Sequence, residues 1–319
     1  MPAGRRPVQN PLVCHGHTRP IVELSYSPVT PDGYFLTSAS KDKEPMLRNG
    51  ETGDWIGTFQ GHKGAVWSCV LNDTAVLAAT GSADYSARLW DALSGDQTHE
   101  WEHPGIVRSV HFAHRSPKLV TGGAKKCLRM YDLQQPGAAP QIQDVTDDIR
   151  NAQWHQDDNV ILCTYLDKPG ISVWDVRSQS IVKTLATGKV VTSLEILPGG
   201  QYLTTADGHS VKIWDGQKLE VIKEFTSEYI VESASYCPQK KRFASGGEDM
   251  WVHLYDYETG QEVDCNKGHH GPVHCVRFAP TGESYASGSE DGTIRIWETD
   301  FALKADDSAA PVANGTAAK

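Results

Sequence analysis

The chain is predicted to be an all-β, seven-bladed propeller, and three observations carry that prediction. A closing dipeptide recurs at Trp90-Asp91, Tyr131-Asp132, Trp174-Asp175, Trp214-Asp215, Tyr255-Asp256 and Trp297-Glu298, with Arg48-Asn49 standing in its place in the first unit. The closing positions 49, 91, 132, 175, 215, 256 and 298 are spaced by 40 to 43 residues. Within a unit the apolar residues alternate with period two, as Ile294 and Ile296 do with Thr293 and Arg295, which favours strands over helices. A unit of this length holds four short strands, the content of one propeller blade.

Residues 268–298, GHHGPVHCVRFAPTGESYASGSEDGTIRIWE, form the clearest copy. Gly268-His269 opens the unit, Val273, Val276 and Phe278 suit a buried strand, and PTGE is a turn. Residues 284–288 read as a second strand, SEDG as a tight turn, and Ile294 to Trp297 as a third strand. This is the WD40 pattern. Such a blade buries its faces only against neighbouring blades, so one closed domain is expected rather than two.

Taken in order, residues 1–6 read as disordered, 7–299 as the propeller and 300–319 as a disordered tail poor in large apolar residues. In WD40 propellers the closing dipeptide ends a blade's third strand, and the following residues form its outermost one. The seventh unit needs such a strand, and residues 8–14 are expected to supply it from the other terminus, removing a free sheet edge. Unit one carries the insertion SPVTPDGYF, a turn lengthened by two prolines. Unit two, from GHKGAVWS to ARLWD, is the second-best copy. Asp42, Asp84, Asp249 and Asp291 lie before the closing position of units one, two, six and seven, where unit three has Lys125. Units four and five lack the opening histidine, and Asp167 and Asp207 sit one residue early, so the turns of blades three to five are expected to differ and to be less rigid.

Lys plus Arg total 30 against 40 Asp plus Glu, a formal charge of −10, which argues against a broad phosphate-binding surface and makes any RNA association indirect. No stretch approaches the roughly 18 apolar residues of a membrane span, and the N-terminus lacks a signal-peptide core, so a cytoplasmic or nuclear location is expected. The seven cysteines are scattered and never spaced CxxC, so they read as small buried hydrophobes and no metal or other cofactor is expected. Asn314-Gly315-Thr316 matches a glycosylation acceptor by chance composition of the tail.

His62, Ser82 and Asp84 could be taken for a hydrolase triad, as could His269, Ser289 and Asp291. Each set comes with a fourth member, Trp90 or Trp297, and His17, Ser40 and Asp42 form a partial third copy. An active site is not built several times around a ring. The WD-repeat alternative is a buried tetrad of histidine, serine, aspartate and tryptophan that fixes the turn in each blade, so no catalytic residue is expected. There is also no P-loop, dinucleotide fingerprint or HExxH. The small residues Gly122-Gly123 and Gly246-Gly247 are explained by blades crowding the central channel.

Propellers bind partners on the face ringed by the loops entering each innermost strand. Carried over from the WD-repeat pattern, the candidates on that face are Lys41, Trp67, Arg108, Arg150, Glu232, Glu248, His274 and Glu290. Trp67 is expected as an exposed aromatic near the channel, a residue type that dominates interface hot spots. Arg108 and Arg150 fall on one side and Glu232, Glu248 and Glu290 on the other, a bipolar arrangement that would orient a partner.

The first two units and the last go beyond the generic pattern. PMLRNGETGDWIGTF in unit one, with Arg48-Asn49 at its close, and GPVHCVRFAPTGESYASGSEDGTIRIW in unit seven resemble the family of serine/threonine kinase receptor-associated proteins (STRAP), also called unr-interacting proteins. The WD-repeat i-subunit of eukaryotic translation initiation factor three is a close cousin, similar at GTFQGHKGAVWSCV and ATGSADYSARLWD. The first resemblance implies a non-enzymatic adaptor, a monomeric propeller inside a larger complex. Its partners would be Sm proteins and the survival-of-motor-neuron assembly complex, with a possible kinase-signalling role; the second implies initiation-factor subunits.

Overall fold

The computed structural model describes residues 8–301. Twenty-eight strands form seven four-stranded antiparallel sheets, the blades, and the strands of each are lettered a to d from the channel outward. Strands a to c of blade seven are Val273–Phe278, Ser284–Ser289 and Ile294–Glu298. Its strand d is Leu12–Cys14, paired antiparallel with strand c at Leu12↔Ile296, Val13↔Arg295 and Cys14↔Ile294. The ring is therefore closed from the N-terminus as expected, by a strand shorter than residues 8–14. The expected disorder of residues 1–6 and 302–319 lies outside the described residues. Asp300, placed by sequence in the tail, is instead tied to the propeller through Lys240 Nζ at 2.8 Å.

Each blade is covered on both faces, and strand composition follows from that. Strand b of blade two, Leu77–Ser82, reads LAATGS and is almost wholly buried, whereas the outermost strand of blade four, Ser180–Leu185, is nearly all exposed. Aliphatic clusters fill each gap between blades. One joins Val70, Ala79 and Leu89 of blade two to Val107, Val110 and Leu119 of blade three. Glycine near the end of strand b allows this approach: a Cβ on Gly81, Gly122, Gly246 or Gly288 would stand 2.6–2.8 Å from Val107, Ile149, Val273 or Ile21 of the next blade. These small residues yield to the neighbouring blade's first buried aliphatic. In unit one the proline-bracketed insertion folds back on itself at Thr30 and Gly33, whose backbones bond at 2.8 Å.

A recurring bulge decides what faces the channel mouth. In six blades the register between strands a and b skips one residue near the start of strand a: Val22, Trp67, Arg108, Arg150, Glu232 and His274. A bulged residue has no cross-strand partner, and its side chain is re-aimed. Blade five lacks the bulge, but Thr192 just ahead of its strand Ser193–Ile196 occupies the corresponding place.

Candidate functional site

The polar sets that resemble triads are buried and internally satisfied. In blade two, His62 Nδ1 meets Asp84 Oδ2 at 2.8 Å and Nε2 meets Thr80 Oγ1 at 2.6 Å. The Trp90 indole N–H donates to the same Thr80 hydroxyl at 2.9 Å. A hydroxyl that accepts from the indole has its proton free for Nε2, so Nδ1–H donates to the carboxylate. Asp84 also accepts the Lys63 N–H at 2.9 Å, the Ser86 N–H at 3.1 Å and the Ser86 hydroxyl at 2.7 Å. Burial opposes ionisation of Asp84, but the bonds from His62, Ser86 and Lys63 outweigh it and hold the carboxyl well below the usual range. Asp291 in blade seven is held low in the same way by His269, the His270 N–H and Thr293.

The hydroxyl assignment from sequence needs correction. The tetrad members are Ser38, Thr80 and Ser287, not Ser40, Ser82 and Ser289, two residues further along each strand. His17 Nε2 to Ser38 is 2.7 Å, and His269 Nε2 to Ser287 is 2.8 Å. Positions two apart on a strand share a face, so the motif alone does not choose between them. The later serines sit at the strand end, where they bond backbone instead. Ser82 donates to the Gly64 carbonyl and accepts the Asp84 N–H, and Ser289 does likewise with Gly271 and Asp291. In blade one Arg48 takes the place of the indole, its guanidinium donating to the carbonyls of Gly53 and His15. With the imidazole and hydroxyl buried and the half-buried carboxylate fully engaged, the constellation points to a scaffold rather than a catalytic centre.

Blades three to six use other groups. His103 Nε2 lies 3.0 Å from the Tyr131 hydroxyl, and burial with the nearby Arg129 charge pushes its pKa down to about 3. In blade five the early Asp207 still accepts backbone N–H groups, from Gly188 at 2.8 Å and Lys189 at 3.2 Å, but its cation is Lys212 at 2.7 Å. In blade six the Tyr229 hydroxyl joins Ser245 and Tyr255 at 2.9 and 3.0 Å.

The predicted face is assembled at one channel mouth. Lys41, Trp67, Arg108, Arg150, Glu232 and His274 line one cavity of about 160 Å³, together with Val22 and Thr192. Every blade thus contributes its bulge or bulge-equivalent residue. Trp67 is not freely exposed as expected: the Arg108 guanidinium covers its ring at 4.3 Å, and Lys41 Nζ lies 6.0 Å from it. The charge separation is present. His274 is clamped between Glu232 at 2.6 Å and Glu290 at 2.7 Å, and Lys41 lies 3.8 Å from Glu290. Burial works against charging His274, but the two carboxylates prevail and raise its pKa. Glu232 and Glu290, two of the three acids, are therefore already engaged within the molecule. On the basic half, the buried Trp67 Nε1 and Arg150 Nε have no hydrogen-bond partner among the described residues. Glu290 reaches the site through His274 and Lys41, whereas Glu248 is exposed and does not line the cavity.

At the other ends of the innermost strands a larger cavity, about 560 Å³, holds Glu23, Glu195, His111 and Arg277. Burial raises the Glu23 pKa to about 7, against the lowering effects of Ser68, Arg277 and the Cys69 N–H. Sequence reading missed this cluster because its members lie in mid-strand, where the alternation marks only an inward side chain. It also missed Val22, which is apolar, and Thr192, whose unit has no opening histidine from which to count.

The WD domain, G-beta repeat, matches residues 53–91, 95–132, 179–215 and 260–298. Each match runs from the end of one blade through strand c of the next, so the sequence repeat is offset from the structural one. The serine-threonine kinase receptor-associated protein of Gallus gallus is 50% identical over 292 residues, covering 91% of this chain and 83% of that protein. The chain belongs to the serine-threonine kinase receptor-associated protein family. The Dictyostelium discoideum member is 47% identical, with 91% of this chain and 99% of that protein covered. Eukaryotic translation initiation factor 3 subunit I of Schizosaccharomyces pombe is a more distant relative, 27% identical over 316 residues. This ordering agrees with the weight given to unit one, where Arg48-Asn49 replaces the usual closing pair.

Proposed function

We propose that this member of the family is a non-catalytic scaffold that docks a protein segment on the channel mouth ringed by the bulge residues. The observation that carries the reading is the Trp67–Arg108 stack beside Arg150, with two buried donors unpaired among the described residues and Glu232 and Glu290 already engaged by His274. An acidic or carbonyl-rich segment would satisfy those donors and meet an aromatic–arginine anchor of the kind that dominates interface energies. The wider role is adaptor duty in ribonucleoprotein assembly, with Sm proteins and their assembly factors as partners, RNA reached through them, and kinase signalling as a further use.

A second reading, membership of an initiation-factor complex, is favoured by the 27% identity to subunit I across most of both chains. Affinity purification of the tagged full chain at moderate salt, read by mass spectrometry, separates the two. Sm proteins and assembly factors are the expected catch. Recovery of initiation-factor subunits with the small ribosomal subunit, and no Sm proteins, would replace the first reading by the second.

A further inference from the structure

We propose that His253, Glu262 and Cys265, on the outer half of blade six, form a binding site for a zinc-class divalent cation. His253 lies in strand c, Trp251–Asp256, and the other two in strand d, Glu262–Lys267. His253 and Cys265 are directly opposed across the pair. Residues three apart on one strand ordinarily face opposite sides of a sheet. Here a register shift pairs Leu254 with Asp264 but Tyr255 with Glu262, and that bulge brings Glu262 to the side of Cys265 and His253. One donor atom from each of the three residues lies within 4.8 Å of the other two.

The donor chemistry fits zinc. A nitrogen, a thiol sulfur and a carboxylate oxygen form a mixed set for a borderline-soft ion, leaving a fourth position for water. The imidazole is already oriented. Its Nδ1 faces Glu262 at 2.7 Å, while Nε2 is held by the Asp249 carboxylate at 2.7 Å, the outer partner that metal-bound histidines characteristically have. Tyr229 stacks on the ring at 4.5 Å and fixes its plane. Cys265 is also the one cysteine of seven that is not fully buried. A bound ion would clamp strand c to strand d in a blade whose turn aspartate, Asp249, meets His253 of strand c rather than an opening histidine as in blades one, two and seven.

The test uses the full chain, freed of any tag, with Zn²⁺ and Co²⁺ as probes. One equivalent of Co²⁺ should give a thiolate-to-metal charge-transfer band, absent in Cys265→Ser and weakened at least tenfold in apparent affinity by Glu262→Gln. Asp249→Asn should lower affinity by roughly 10- to 100-fold. Zn²⁺ should also slow iodoacetamide labelling of Cys265, read peptide by peptide, a measurement on the unaltered protein that holds even if a variant misfolds. No charge-transfer band and no protection, or protection that survives Glu262→Gln undiminished, would overturn the site and leave His253 as an imidazole bridging two carboxylates.

Discussion

Blades two and five each tie the turn between strands b and c through a carboxylate, Asp84 or Asp207, yet the turns differ in length and are held by different chemistry. Blade two uses an imidazole between a carboxylate and a hydroxyl that also receives an indole N–H, so every polar atom has a short-range partner. Blade five keeps the carboxylate, the backbone donors and the indole–hydroxyl bond of Trp214 to Thr205 at 2.9 Å, but replaces the imidazole with the ammonium of Lys212. A tetrad distributes its energy over several neutral or charge-assisted hydrogen bonds. A buried ion pair concentrates it in two charges, each costly if left alone. The difference teaches that a satisfied carboxylate at this turn can be supplied with an imidazole or an ammonium as its partner, so the two blades share a requirement rather than a fixed set of residues.

The largest effect should come from turning the most regular blade into an open one. Deleting residues 1–14 removes strand d of blade seven and exposes the edge of Ile294–Glu298. The melting temperature should fall by roughly 10 °C or more on the scale expected for several kcal/mol; an unchanged melt would mean that closure contributes little. Next is Lys212→Met. Stranding Asp207, which is 2% exposed, should cost about 3–5 kcal/mol in chemical denaturation, and adding Asp207→Asn should return part of it. If Lys212→Met is neutral, blade five does not depend on its ion pair.

Thr80→Val follows, leaving His62 Nε2 and the Trp90 N–H unpaired at about 1–3 kcal/mol each. Ser82→Ala should cost less, because its bonds are to backbone at the strand end. Equal losses would restore Ser82 to the tetrad. The smallest effect sets the turn carboxylates against those in the channel. Asp84 and Asp291 are held low, so the stability they confer is full above the ordinary carboxylate range and is lost as pH falls below it. Glu23 has the opposite sign: raised from 4.5 to about 7, it favours the folded state at low pH and loses that contribution as pH climbs through 7. Glu23→Gln should therefore raise the melt at pH 8 relative to wild type and change it little at pH 5. A lower melt at pH 8 would contradict the assignment.

Much of the fold was legible because propeller blades write their geometry into a fixed period. The closing pair and the alternating strands follow from spacing, whereas the need for a fourth strand in the last blade came from the WD-repeat pattern that the spacing resembles. The docking ring was legible in part. Counting five residues from the opening histidine finds Trp67 and His274 because the strand-a bulge always falls at that offset, but it fails for Thr192 in a unit with no histidine. Choosing Thr80 over Ser82 needed the structure, since both face the same side of one strand. The His253–Glu262–Cys265 cluster was invisible to spacing rules, because a bulge and a hairpin, not a CxxC turn, bring its donors together. The cover of Arg108 over Trp67 joins adjacent blades, a contact no single repeat contains.

The most direct measurement is quantitative recovery of partners by the Trp67→Ala/Arg108→Ala double variant beside wild type and Thr80→Val. If the channel mouth is the docking face, the double variant loses its partners at least tenfold while its melt stays within a few degrees of wild type, and Thr80→Val keeps them below its own melting temperature. Partners retained by a folded double variant would contradict the channel-mouth site and move the interface to another surface of the propeller.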